Sequence, residues 1–204
     1  MIKHWLCVAR NKDTPDPAFR QALAEIGRLL MYECTRDWLD TVDFKVESPM
    51  GVADATVVDP TKPICLVPIL RAGLVLLESC GTSLPASRTY HLGFVRDEET
   101  LEATMYLNKL PERFEKGSKV LLTDPMIATG GTLAKAIDLC VERGADPDDI
   151  RVLAVVAAPP ALQMLSEKYT GLRIYAAMID PELNDVGYIV PGLGDAGDRC
   201  YGTD

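Results

Sequence analysis

Histidine is scarce in this chain. Its two residues, His4 and His91, lie far apart in sequence, which argues against a histidine-based metal centre. The six cysteines, at 7, 34, 65, 80, 140 and 200, form no CxxC pair and no zinc spacing. Several fall in apolar runs such as ICLVPIL and read as buried thiols of a reducing compartment. No stretch approaches the roughly 20 apolar residues of a membrane span. Lys3, His4 and Arg10 are followed by no long apolar core, so a signal peptide is not expected and a cytoplasmic protein without membrane contact is. Basic residues are in deficit, 21 Lys and Arg against 30 Asp and Glu, for a net charge of −9. That balance argues against a broad nucleic-acid surface. An anionic substrate would have to be held by a few focused arginines and a metal.

Repeats, low-complexity tracts and linkers are missing too, and 204 residues suit one domain with a sizeable core. Asp16-Pro17 reads as a helix start, with Asp as N-cap and Pro at the first helical position. Phe19, Leu23, Ile26, Leu30, Cys34 and Trp38 follow at helical spacing. The preceding residues, 1–15, read as a mixed polar and apolar lead. Val42–Val46 and Val52–Val58 predict a hairpin about the turn SPMG. Further on, strands at 64–69, 120–123, 151–157 and 173–179 alternate with helices at 74–78, 131–143 and 160–168. This alternation predicts an α/β fold with a central parallel sheet and helices on both faces. Tyr90–Val95 and Ala103–Leu107 predict a protruding β-hairpin, with the acidic run Asp97, Glu98, Glu99 at its tip. Residues 182–204 are too rich in Gly and Asp for a regular element and read as an irregular hood. Residues 1–60 would then be a helical and hairpin lead to a single domain, 1–204.

The chain is organised around KVLLTDPMIATGGTLAKAIDLC, residues 119–140. An apolar strand runs into a Gly-containing loop and then a helix start, where unpaired backbone N–H groups and the helix dipole favour an anion. Thr129 and Thr132 add hydroxyl donors, and Gly130 and Gly131 let a phosphate approach the backbone. Asp124 at the strand end suits a sugar-phosphate better than a bare phosphate. The spacing is not that of a P-loop, which disfavours an ATPase.

Two other segments should meet this one, since ligands of open parallel sheets bind at the carboxyl ends of the strands. Arg71, in PILRAGL, follows a buried strand, where a guanidinium can clamp an anion as a fork; the bland reading is an ion-paired or snorkelling arginine. Ala72 and Gly73 leave room for backbone donors. The third segment, GYIVPGLGDAGDRCYG, spans 187–202 and holds a literal GxGxxG at Gly192, Gly194 and Gly197. A dinucleotide fingerprint needs a strand before it, a helix after it and an acid about twenty residues on; only seven residues follow Gly197. Its backbone groups instead suit a planar base with amide-like edges. The bland reading is an ordered tail with turn glycines.

DPMIATGGT resembles the phosphoribosyl-pyrophosphate (PRPP) signature of the type I phosphoribosyltransferases. PILRAGL, VRDEETLEA, DPMIATGGT and GYIVPGLGDAGD, in this order, resemble the uracil phosphoribosyltransferases; the last of these is the specific one. The resemblance implies formation of UMP and diphosphate from uracil and PRPP, with Mg²⁺. It implies a PRPP site of Arg71, Arg96, Asp124, Pro125, Met126, Ile127, Ala128, Thr129, Gly130, Gly131, Thr132 and Asp195. It implies a uracil site of Ile189, Gly194, Asp195 and Ala196, with Asp195 near the metal through water and PRPP. Asp195, Arg71 and Asp124 are the expected catalytic residues. Many family members carry two adjacent acids where this chain has Thr123-Asp124, so ribose contacts would rest mainly on Asp124. Loop 96–107 would close the site and exclude water. Members are homodimers or larger, and some respond to GTP. The competing readings are a pyrimidine-binding regulator of RNA on the same fold, and an enzyme for another base such as orotate. Orotate's carboxylate would want a cation, and Arg199 is the candidate in the C-terminal segment.

Overall fold

The computed structural model describes residues 1–78, 83–84, 86–96 and 103–203. Two helices come first, α1 (Ile2–Arg10) and α2 (Asp16–Thr35). A hairpin of β1 (Thr41–Ser48) and β2 (Gly51–Val58) follows, then β3 (Ile64–Leu70), a 3-10 turn (Ala72–Leu77), β4 (Arg88–Thr89), β5 (Leu92–Arg96) and β6 (Ala103–Asn108). The rest is β7 (Lys119–Thr123), β8 (Met126–Ile127), α3 (Gly131–Glu142), β9 (Ile150–Ala157), α4 (Pro159–Lys168), β10 (Arg173–Ile179), β11 (Glu182–Leu183), β12 (Ile189–Val190) and α5 (Ala196–Tyr201).

The central sheet runs β10-β9-β7-β3-β5-β6, with β4 added beside β3 and β8 beside β9. Its pairings are parallel except for β5 with β6. The reason is legible along each inner strand. Ile64, Leu66, Leu121, Leu153 and Val155 pack with α1 and α2 on one face. The alternating residues Cys65, Val67, Val120, Leu122, Val152 and Ala154 pack with α3 and α4 on the other. A strand apolar at every position is thus divided between two cores by its period of two.

Several expectations need correction. Residues 2–10 are helical, because Leu6 and Ala9 supply just enough of an apolar stripe to dock. Asp16 is the first residue of α2 rather than its cap; Pro15 takes the cap position and no side chain caps the helix. The helix expected at 74–78 is a 3-10 turn over Ala72–Leu77. The C-terminal hood is not wholly irregular, since β11 pairs antiparallel with β12 and α5 follows. The 90s hairpin joins the sheet edge through Leu92 and Gly93 alone, beside Ile69 and Leu70 of β3, and β1–β2 is a second hairpin that pairs with no other strand among the described residues. The Arg96 side chain and the acidic tip at 97–102 lie outside the described residues, as do the expectations that rest on them. By contrast, α3 stops where Gly144 was expected to stop it: Gly144 takes φ +85° and its N–H returns to the Val141 carbonyl.

Candidate active site

The carboxyl ends of β3 and β7 open onto a cleft of about 1090 Å³. Arg71 and Ala72 line it from the end of β3, and Asp124, Pro125, Met126 and Ala128 from the end of β7. The C-terminal segment closes the far side with Val186–Ile189 and Gly194–Asp198. A smaller cavity of about 70 Å³ adjoins it, sharing Asp124, Met126 and Ala128 and adding Ile127, Thr129, Gly130, Thr132 and Leu133.

The smaller cavity sits at the start of α3. Gly130 occupies the N-cap with φ +82°, and no side chain caps the helix. The first-turn N–H groups therefore keep their donors for a ligand. The two glycines have different reasons. At Gly130 a Cβ would meet Met164 Cε at 2.7 Å, so both conformation and packing demand glycine. At Gly131 the nearest atom to a Cβ would be Thr129 Oγ1 at 3.9 Å, so the protein leaves that space open. Pro125 and Ile127 line the cavities and also tie the loop down through their backbone. Their carbonyls accept from Val155 and Val156 and from Ala158, anchoring the loop to β9 and to the start of α4.

Asp124 carries no paired cation among the described residues; its Oδ1 accepts from the Met126 N–H at 3.3 Å. Enclosure by protein pushes its carboxyl up to about 6, opposed only by that bond. Thr123 is fully buried, and its hydroxyl donates to the Gly73 carbonyl at 2.8 Å. The position before Asp124 therefore points away from the cleft. The space expected at Gly73 for a ligand is filled as well: a Cβ there would lie 2.3 Å from the Thr123 carbonyl oxygen. Thr123 and Gly73 join the end of β7 to the Arg71 loop.

Arg71 follows a cis peptide bond with Leu70 and is half exposed. Its guanidinium donates to Asp198 Oδ1 at 2.8 Å and to Thr203 Oγ1 at 3.0 Å. Thr203, then Arg71, hold the Asp198 carboxyl below the usual carboxylate range. Asp195 caps α5, its Oδ1 accepting from the Asp198 N–H at 3.0 Å. Ile189 is buried, while Gly194 and Asp195 are exposed to the cleft.

The profile of the uracil phosphoribosyltransferase family matches residues 1–203. A protein of Nicotiana tabacum named uracil phosphoribosyltransferase is 58% identical over 203 residues, covering 100% of this chain and 91% of that protein. One from Nostoc, of the same name, is 57% identical over 203 residues and 94% of its own length. The chain belongs to the uracil phosphoribosyltransferase family. A third relative, the chloroplastic uracil phosphoribosyltransferase of Arabidopsis thaliana, is 57% identical over 204 residues, 69% of its length. Among solved structures, a protein of Aquifex aeolicus superposes with a TM-score of 0.89 at 38% identity, over 98% of this chain and 93% of that one. The APRTase of Giardia lamblia, with a TM-score of 0.52 at 17% identity over 78% of this chain and 80% of that one, shares the fold.

In this phosphoribosyltransferase the residues expected for PRPP and for uracil, Arg96 and Gly131 apart, line these two adjoining cavities. Arg199 does not belong to it. Its guanidinium donates to the carbonyls of Ala9, Leu193 and Asn11 at 2.7–2.8 Å and lies 4.0 Å from the Phe19 ring. Three carbonyls and a ring consume the cation that an orotate site would need. Sequence reasoning missed Phe94 and Tyr106, which reach the cleft from β5 and β6. The Tyr106 ring lies where a Cβ on Gly93 would be, 2.5 Å from its nearest atom. The signal was a glycine beside aromatics in a β-rich run, readable only once the register is known. No three His, Cys, Asp or Glu side chains converge as a metal cage among the described residues.

Proposed function

We propose that this uracil phosphoribosyltransferase makes UMP and diphosphate from uracil and PRPP through the cleft between Arg71, Asp124 and the 187–198 segment. The observation that carries the assignment of parts is the adjacency of two unlike cavities that share Asp124, Met126 and Ala128. A small cavity at a helix start suits the 5′-phosphate, and the wide cleft beside it is closed by backbone-rich chain suited to a flat base.

In that reading, the first turn of α3 with Thr129 and Thr132 takes the 5′-phosphate. Asp124 accepts from the ribose hydroxyls, and Arg71 receives diphosphate as a fork; Arg96 is assigned the same leaving group on resemblance. Backbone at Ile189, Gly194 and Ala196 orients the uracil edge. As N1 of uracil forms its bond to the anomeric carbon, it gives up its proton to solvent and the bond to diphosphate breaks; the sugar becomes cationic while the leaving group gains charge. Asp195, displayed to the cleft, balances the sugar. Mg²⁺ brought with PRPP would be supported by Asp195 and would supply charge neutralisation to the leaving group.

Cys7, Cys65, Cys140 and Cys200 are in no disulfide, which fits a reducing cytoplasm. No helix among the described residues is long and apolar enough to cross a membrane. The β1–β2 hairpin is the surface we assign to a second copy in a homo-oligomer.

The deciding experiment incubates the chain with PRPP, Mg²⁺ and each base in turn. Uracil should yield UMP, with cytosine and orotate at least about 10²-fold poorer in kcat/KM. Comparable turnover of orotate would sink the base assignment. Adding GTP to the same assay reads the effector that the resemblance implies, and an RNA titration at rising salt tests the regulator reading, for which no relative described above speaks.

A further inference from the structure

Asp180 follows β10 and is only 2% exposed. A carboxylate so buried must be fully partnered. Arg10, at the end of α1, donates to it through both arms of its guanidinium: Nη1 to Oδ2 at 2.9 Å and Nη2 to Oδ1 at 2.5 Å. The Gly192 N–H donates to the same Oδ2 at 2.9 Å, and Arg10 Nη1 donates to the Gly192 carbonyl at 3.1 Å. Both polar groups of the Gly192 backbone are thus held by one ion pair.

Gly192 sits inside the turn that carries the proposed base contacts, with Ile189 before it and Gly194 after it. The turn closes tightly there: Gly192 takes φ +56°, and a Cβ on it would lie 2.0 Å from the Ile189 carbonyl oxygen. The next residue is tied to the same helix end, because Arg199 Nη1 bridges the Leu193 and Ala9 carbonyls at 2.7 and 2.8 Å. Neither Arg10 nor Asp180 lines the cleft.

We infer that the Arg10–Asp180 pair positions the 189–194 turn for the base, which makes the N-terminal helix α1 a determinant of uracil recognition. The inference rests on the uracil reading above. Its physical ground is that backbone N–H and C=O groups cannot re-aim by changing rotamer. Their direction is that of the turn, and the turn is held from behind by a buried, bidentate, charge-assisted contact. Arg10 and Asp180 are therefore positioning residues rather than catalytic ones.

The test compares the full chain with Arg10→Lys, Asp180→Asn and the double variant Arg10→Met/Asp180→Leu. The double variant removes both charges together and leaves no buried ion unpaired. Melting temperature, kcat and KM for both substrates are measured. The expected result is a rise of about tenfold or more in the uracil KM of each folded variant, with the PRPP KM within about twofold of the parent. Lowered melting temperatures with the uracil KM unchanged, or with both KM values raised together, overturn the inference and leave the pair a fold staple. If Asp180→Asn fails to fold, the other two variants decide. A parent chain that forms no UMP fails the functional reading first, whereas an active parent with indistinguishable variants fails this inference alone.

Discussion

Arg71 and Asp198 form an ion pair at 2.8 Å, joined by Thr203, whose hydroxyl accepts from Arg71 at 3.0 Å and donates to Asp198 at 2.7 Å. The guanidinium assigned to diphosphate is thus already engaged by the base segment. Its side chain is half exposed, and an exposed pair of this kind contributes little stability, so diphosphate can take over the fork at small cost. The ion pair and the proposed diphosphate role of Arg71 are compatible, since one side chain can serve both in turn.

Arg71→Ala should therefore fold with a melting temperature near the parent's and lose about 2–4 kcal/mol in kcat/KM for PRPP. Lysine at this position should restore only part of the loss, because one ammonium cannot replace a fork. Steady-state kinetics with PRPP varied checks both, and unchanged PRPP kinetics in the alanine variant would remove Arg71 from the diphosphate site.

Asp124 should trade stability for binding. Its carboxyl is pushed up from 3.8 to about 6 by enclosure, so between those values the folded chain holds a proton that the unfolded chain has released. This group's contribution to stability falls as pH rises through that window, and its full penalty is present at pH 7. Asp124→Asn keeps an acceptor for the Met126 N–H and removes the charge. It should stabilise the ligand-free protein at pH 7 by about 1–3 kcal/mol, with the gain fading below pH 4. The same variant should raise the PRPP KM by about 10²-fold. Parental PRPP affinity should weaken as pH falls through about 6, where the carboxylate is lost. Thermal melts and PRPP titrations across pH separate the two effects.

Asp195 caps α5 through Oδ1, and asparagine caps helices as well as aspartate does. Asp195→Asn should then melt within a few degrees of the parent and still bind uracil weakly. Its kcat should fall by about 10²-fold, roughly 2.7 kcal/mol of barrier, because the charge that balances the cationic sugar is gone. A near-parental kcat would leave Asp195 with its cap alone.

The β1–β2 hairpin is amphipathic in a way that calls for cover. The register sets Val42 opposite Val57, Phe44 opposite Ala55 and Val46 opposite Ala53, which makes one face apolar. The other face carries the Lys45–Asp54 ion pair at 2.8 Å and a Thr56–Asp43 hydrogen bond at 2.6 Å. Phe44 remains 46% exposed, and a lone two-stranded hairpin is at best marginally stable in water. On the homo-oligomer proposed above, Phe44→Glu should shift sedimentation velocity toward monomer, with the circular-dichroism spectrum retained. An unchanged sedimentation coefficient would remove the hairpin from the subunit interface.

The sequence by itself determined the sheet and the strand, loop and helix start around Asp124, because both depend on local order along the chain. ICLVPIL is apolar throughout and KVLLT is apolar at Val120–Leu122, a pattern that suits a strand buried on both faces. The strand, loop and helix start around Asp124 are contiguous, so their geometry follows from their order. The 189–194 turn was different. Its residues were legible as a backbone-rich base segment, but what aims them was not, because Arg10 and Asp180 are 170 positions apart and each reads alone as an ordinary surface charge. The same holds for Arg199, whose cation looked available until its carbonyl partners at Ala9 and Asn11 consumed it. The fate of a charge depends on which backbone groups the fold leaves unpaired beside it, and only tertiary structure decides that.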